Sequence, residues 1–171
     1  MKNNIVLIGL PSSGKSTVGV LLAKNLGMRF LDTDLLIQER DGRLLHEIIE
    51  ADGNAAFLAL EDRTLGALEA SNTVISTGGS AVYGERGMQH LAKIGSILYL
   101  KIDYNTLERR LGDYSHRGVV LREGYTLHDL YEERTALYAR YADAVIDERD
   151  TEGDLTRTVE KALAVCRTLL K

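Results

Sequence analysis

The run Gly9-Leu10-Pro11-Ser12-Ser13-Gly14-Lys15-Ser16-Thr17 constrains this chain more than any other stretch. It reads G-x-x-x-x-G-K-S, the pattern of a phosphate-binding loop. Ile5-Val6-Leu7-Ile8 before it is a short apolar run of the kind that forms a buried parallel strand. After it, Val18, Leu21, Leu22 and Leu26 recur at helical spacing. Gly9 and Gly14 let the backbone curl so that successive N–H groups face an anion. The helix N-terminus adds its partial positive charge at the same spot. Lys15 supplies a mobile full charge for β and γ phosphates, and Ser16 a hydroxyl for Mg²⁺.

A chain of 171 residues suits one domain, and 44% apolar with 27% charged residues marks it as globular. A net charge of −4 speaks against nucleic acid as a partner. Cys166 stands alone in a predicted helix, which excludes an internal disulfide and suits a reducing cytosol. It reads as a small apolar core residue. Met1-Lys2-Asn3-Asn4 leads straight into the first strand, with no signal-peptide or transmembrane pattern. The expectation is a cytoplasmic protein without a membrane partner. His46, His90, His116 and His128 lack metal-site spacing and read as surface or capping residues.

Five short strands alternate with helices, which implies a parallel five-stranded sheet covered on both faces. The second strand, Arg29-Phe30-Leu31, ends at Asp32-Thr33-Asp34. Carboxylates there lie where open α/β sheets bind ligands. Asp32 is placed to hold Mg²⁺ through water and Asp34 to accept a hydrogen bond from a substrate hydroxyl; the competing reading for either is a helix cap. Residues 35–50 are helical in pattern with a break at Asp41-Gly42, a turn follows at 51–54, and a further helix covers 55–70. These pieces exceed what a βα unit needs, and such insertions form substrate platforms. The third strand, Thr73-Val74-Ile75-Ser76, ends in Thr77-Gly78-Gly79-Ser80, whose glycines permit close approach to a ligand. A helix over 85–93, a strand over 95–102 and a helix over 104–111 with Arg109 and Arg110 follow.

Residues 112–124 show no period and carry Arg117 and Arg122. By composition this is a solvated loop; beside a phosphate site, its arginines suggest a closing lid. A long helix capped by Thr126 runs to Tyr141, and Arg134 on its apolar face needs a partner, either a substrate anion or an internal carboxylate. Ala144-Val145-Ile146-Asp147 is the fifth strand, and 151–169 a closing helix.

Over nearly its whole length the chain resembles the shikimate kinases, small P-loop kinases of the nucleoside-monophosphate-kinase fold. The resemblance rests on the loop from Gly9 to Thr17 and on Asp32-Thr33-Asp34. It continues through Gly42, Glu47-Ile48-Ile49, Gly53, Phe57 and Glu61, then Gly78-Gly79, Arg110 with Arg117, and Arg134 with Leu137-Tyr138. It implies a three-layer α/β/α P-loop fold as a single kinase domain over 1–171, with a helical substrate-binding insertion at 33–62 and a lid at 112–124. It implies ATP bound by Gly9, Ser12, Ser13, Gly14, Lys15, Ser16 and Thr17, with Arg110 stacked on adenine. Mg²⁺ falls to Ser16 and Asp32. Asp34, Gly78, Gly79, Arg117 and Arg134 would contact the acceptor, and Lys15, Asp34 and Arg117 would carry catalysis, in a cytoplasmic monomer of the aromatic amino acid pathway.

The departures cluster on the acceptor side. Leu58 stands where the family has the arginine that grips the substrate carboxylate, Asn54 for a glutamate, Ser80 for the last glycine of a triple-glycine turn. Gly118 replaces the proline after the lid arginine, and Arg140 an acidic residue. Glu61 thereby loses its usual arginine, leaving Arg140, Arg63 or a substrate hydroxyl as candidate partners. Shikimate is the leading acceptor; another small polyol or hydroxy acid is the alternative that Leu58 raises. A catalytically weak nucleotide-binding protein is a third reading, opposed by Lys15, Asp32, Asp34 and Arg117.

Overall fold

The computed structural model describes residues 2–112 and 119–170. Five parallel strands form one sheet in the order β2-β3-β1-β4-β5. They are β1 (Asn4–Ile8), β2 (Arg29–Asp32), β3 (Thr73–Ser76), β4 (Gly95–Lys101) and β5 (Ala144–Asp147). The helices are α1 (Lys15–Leu26), α2 (Thr33–Asp41), α3 (Leu45–Gly66), α4 (Glu85–Ile94), α5 (Tyr104–Leu111), α6 (Leu127–Tyr141) and α7 (Leu155–Leu169).

The period of two along β1 builds both layers. Ile5 and Leu7 face Val18 and Leu22 of α1 and Val159, Ala162 and Cys166 of α7. Val6 and Ile8 face the opposite layer, with Leu65 of α3, Met88 and Leu91 of α4, and Leu130 and Tyr138 of α6. Cys166 is fully buried, and burial raises its thiol to about pKa 11, consistent with a packing role. Asn4 is not a leader but the first residue of β1. Its buried amide donates to the Ala70 and Ile94 carbonyls at 2.9 Å and accepts from the Thr73 N–H at 3.0 Å. It thereby ties the starts of three neighbouring strands together.

The strand β1 sends its helix to one face, while neighbouring β3 leads to α4 on the other. That divergence opens a crevice at their C-terminal ends. The inserted region differs from its expected outline. The helix meant to begin at residue 35 starts at Thr33, because Asp32 caps it by accepting from the Asp34 and Leu35 N–H groups. Gly42, at φ 83°, closes it. The turn expected over 51–54 contracts to one residue: Gly53 (φ 84°, ψ 164°) bends α3 without ending it. That helix stops at Gly66, four residues earlier than expected. The closing helix begins later than expected. Residues Glu148–Thr151 form a 3₁₀ turn, Glu152 and Gly153 adopt left-handed angles, and Asp154 caps α7 through the Arg157 N–H. Ile37, Ile48, Phe57 and Val120 form a separate apolar cluster that packs α2 and α3 against the segment ahead of α6.

Gly53 occupies backbone angles open essentially to glycine alone. Gly53→Ala should cost about 1–3 kcal/mol in urea unfolding. A change below about 0.5 kcal/mol, within the range of ordinary surface substitutions, would show that the bend relaxes without strain.

Candidate active site

The loop after β1 passes very close to β4. A Cβ on Gly9 (φ 153°) would meet the Leu100 carbonyl oxygen at 2.5 Å and Ser13 Oγ at 2.9 Å. Only glycine fits, and that approach sets the curl of the loop. Ser12 and Gly14 take left-handed angles, and α1 starts at Gly14 with no side-chain cap. Its first N–H groups are therefore available to an anion. Lys15 Nζ folds over the loop, donating to the Gly9 and Leu10 carbonyls at 2.9 and 2.8 Å. Burial lowers its pKa to about 8, against the opposing pull of Asp34 and Asp32.

Asp32 serves as the helix cap, the competing role read for it, and keeps one carboxylate oxygen toward the phosphate loop. One carboxylate oxygen caps α2, while the other accepts from Ser16 Oγ at 2.6 Å. Ser76 Oγ lies 3.2 Å from the Ser16 hydroxyl. These are hard oxygen donors at the phosphate edge, a set that fits Mg²⁺ completing its shell with water and phosphate oxygens. Among the described residues no cluster of His, Cys, Asp and Glu forms a protein-only metal cage.

Asp34 lines the same cavity as the loop. Burial, then the neighbouring Asp32 charge, raises its pKa to about 6, and Lys15 pulls the other way. Asp34 Oδ1 and Glu61 Oε1 each stand 2.6 Å from where a Gly78 Cβ would be, so a side chain there would displace one or both carboxylates. A Gly79 Cβ would press on Pro11 Cδ at 2.9 Å and on Arg134 Nη1 at 3.2 Å. Tyr138 Oη donates to the Gly79 carbonyl at 2.5 Å and fixes that turn.

Arg134 is 1% exposed. No internal carboxylate pairs with it among the described residues: Nη2 donates to the Val120 carbonyl, Nε donates to Tyr83 Oη at 3.3 Å, and the guanidinium stacks over the Tyr83 ring. The cavity enclosed by these groups measures about 310 Å³ and is lined by Ser12, Gly14, Lys15, Ser16, Thr17, Asp34, Gly78, Gly79, Ser80 and Arg134, with Phe57, Val119 and Val120 among its apolar walls. Ser13 is buried in the loop. Arg110 lies beside the loop, donating to the Ser12 carbonyl at 3.5 Å and pairing with Glu148. It borders a second cavity of about 170 Å³ with Asp103, Thr106 and Gly153. Arg117 and Gly118 fall outside the described residues.

Two features were not foreseen. Glu61 pairs with neither Arg140 nor Arg63; both are exposed, and Glu61 Oε2 accepts from Ser80 Oγ at 2.6 Å. Leu58 is not on the cavity wall. It packs on the apolar cluster of Ile37, Ile48, Phe57 and Val120, and borders a small cleft with Asn54, Tyr83 and Arg122. Asn54 Nδ2 donates to the Leu121 carbonyl at 2.8 Å. Both α3 departures thus face residues 120–122, inside the stretch expected to form the lid. The pattern Phe57-Leu58…Leu60-Glu61, an acid amid apolar residues, was the one sequence signal for a buried Glu61.

Comparison with known proteins agrees with this geometry. The family model described as shikimate kinase matches residues 11–164. Shikimate kinase 2 of Enterobacter sp. (strain 638) is 34% identical over 168 residues, covering 95% of this chain and 97% of that protein. The shikimate kinase of Mycobacterium avium (strain 104) is 37% identical over 169 residues, covering 95% and 94%. Among solved structures, the Acinetobacter baumannii shikimate kinase in complex with shikimate superposes with a TM-score of 0.83 at 28% identity, over 99% of this chain and 96% of that one. The Aquifex aeolicus shikimate kinase gives 0.82 at 32% identity, over 98% and 99%. A phosphate loop, an opposed carboxylate and a buried arginine, arranged on this sheet and matched over this length, have one reading: the chain belongs to the shikimate kinase family and is a kinase of the P-loop fold.

Proposed function

We propose that this chain transfers the γ-phosphoryl group of ATP to a hydroxyl of shikimate within one kinase domain spanning residues 1–171. The observation that carries this is a single cavity lined by the uncapped start of α1, Lys15 and Asp34. The loop amides of residues 9–17 and Lys15 bind the phosphates. Arg110, beside Ser12, contacts the base. Ser16 and Asp32 hold Mg²⁺, which neutralises phosphate charge when bound. The region 33–62 forms the acceptor side, with Asp34, Gly78, Gly79 and Arg134, and residues 112–124 close as a lid that brings in Arg117.

Asp34 accepts a hydrogen bond from the attacking hydroxyl and takes its proton as that oxygen bonds to the γ-phosphorus. The bond to the β-bridging oxygen breaks and ADP leaves. Phosphoryl transfer depends on positioning and positive charge more than on a strong base, so a partly buried carboxylate suffices. In this reading the enzyme acts in the cytoplasm as a monomer, without nucleic acid or membrane. No helix among the described residues is long and apolar enough to cross a membrane.

A second reading, a kinase for another small polyol or hydroxy acid, is favoured by one observation. With Leu58 turned into the apolar cluster, Lys15 and Arg134 are the cations that line the cavity among the described residues. ADP release measured over shikimate, quinate and gluconate separates the two readings; highest turnover with shikimate is expected.

Lys15→Met should lower kcat by about 10²–10³-fold or more, and full activity would remove the phosphate-loop mechanism. Asp34→Asn should reduce kcat by about 10²–10⁴-fold while ATP affinity stays within about threefold. An equal loss of ATP binding would place Asp34 on the wrong substrate. Leu58→Arg should lower the KM for shikimate by about tenfold, the worth of one charge-assisted hydrogen bond. An unchanged or higher KM would favour a different acceptor.

A further inference from the structure

Directly behind the floor formed by Gly78 and Ser80 lies Glu61, 1% exposed. Its Oε2 takes the Ser80 hydroxyl, and its Oε1 is buried with no hydrogen-bond partner, pointing at Gly78 on the cavity floor. No ion pair to Glu61 forms among the described residues. The groups that face it are of mixed sign. Asp34 from α2 and Asp62 from its own helix add negative charge, while Arg134 from α6 and Lys15 from α1 oppose them. Arg134 gives its hydrogen bonds to Val120 and Tyr83 instead. One helical turn before Glu61, Leu58 offers an aliphatic side chain. A lone carboxylate with one bare oxygen in such a place is costly, and the neutral acid relieves the cost.

We infer that Glu61 decides how well the acceptor cavity takes an anionic substrate. As a neutral acid it leaves the positive charge of Lys15 and Arg134 available to a substrate carboxylate. As a carboxylate behind Gly78 and Ser80 it repels that group, and an uncharged alcohol does not sense the change. The inference rests on shikimate being the acceptor. Burial raises the Glu61 pKa to about 7, and the Ser80 hydrogen bond holds it from rising further. The acid is therefore neutral below that pH and charged above it, so anion affinity falls as pH rises through neutrality. Shikimate itself stays ionised throughout this window.

Calorimetric titration of the full chain with shikimate and with its uncharged methyl ester, without nucleotide, reads this directly. Between about pH 6 and about pH 8 the Kd for shikimate should rise about fivefold, while that for the ester stays level. Glu61→Gln, which can still accept from Ser80, should level the shikimate profile. Ser80→Ala, which removes the bond favouring the carboxylate, should move the fall in affinity to higher pH. A level wild-type profile with clear shikimate binding would overturn the inference alone. A Glu61→Gln variant that keeps the slope would also overturn it and point to Asp34, which ionises at the bottom of the window, or Lys15, whose charge weakens near its top. Binding of ADP but of no shikimate at any pH would overturn the acceptor assignment and the inference with it.

Discussion

The approach of the Gly9 backbone to the Leu100 carbonyl is the contact on which the ligand edge depends. It lets the chain leave β1, turn through Ser12 and Gly14 in left-handed angles, and enter α1 with its first amides bare. A methyl group at Gly9 would push the loop off β4 and spoil the curl. The sheet order then places β2 and β3 so that Asp32, Asp34 and the Gly78-Gly79 turn arrive opposite those amides. The alternating residues of β1 hold that arrangement in place, since each face of the strand is packed against a different layer of helices.

The acceptor side is built on different physics. Its floor and walls are closed by side chains that hold backbone carbonyls. Arg134 holds the Val120 carbonyl, Asn54 the Leu121 carbonyl, and Tyr138 the Gly79 carbonyl. Arg122 pairs with Glu133 and stacks on both Tyr83 and Tyr125, binding the same segment from outside. The family arginine replaced by Leu58 would have been one more charge in this wall. Here the position strengthens the packing of α3 on residues 119–122, and Ser80 supplies the hydrogen bond that Glu61 would otherwise lack.

Local patterns in the sequence carried most of this. The apolar run of β1, the loop glycines and the period of α1 dictate their own geometry, so strand order aside, the sheet and the phosphate edge were legible. What was not legible depends on partners far along the chain. Asn4 reads as a polar leader until Ala70, Ile94 and Thr73 are brought beside it. Arg134 reads as needing a carboxylate until Val120 and Tyr83 come beside it and supply acceptors from the protein. The late start of α7 follows from a left-handed pair at Glu152 and Gly153, which helical periodicity does not reveal. The family pattern marks Leu58 as a departure but not where its side chain goes; its packing on Ile37, Ile48, Phe57 and Val120 depends on residues brought in from elsewhere in the chain.

Lys15 holds the carbonyl oxygens of its own loop. Its three N–H donors are shared among the Gly9 and Leu10 carbonyls and, at 3.4 Å, Ser13 Oγ, so a phosphate oxygen would first draw the loosely held third donor and gain the others only by exchange. Docking is thus partly a swap of partners, and its net gain is smaller than the bare charge would suggest. The reverse swap is ready-made when the shortened nucleotide departs, because the lysine falls back onto oxygens already in place.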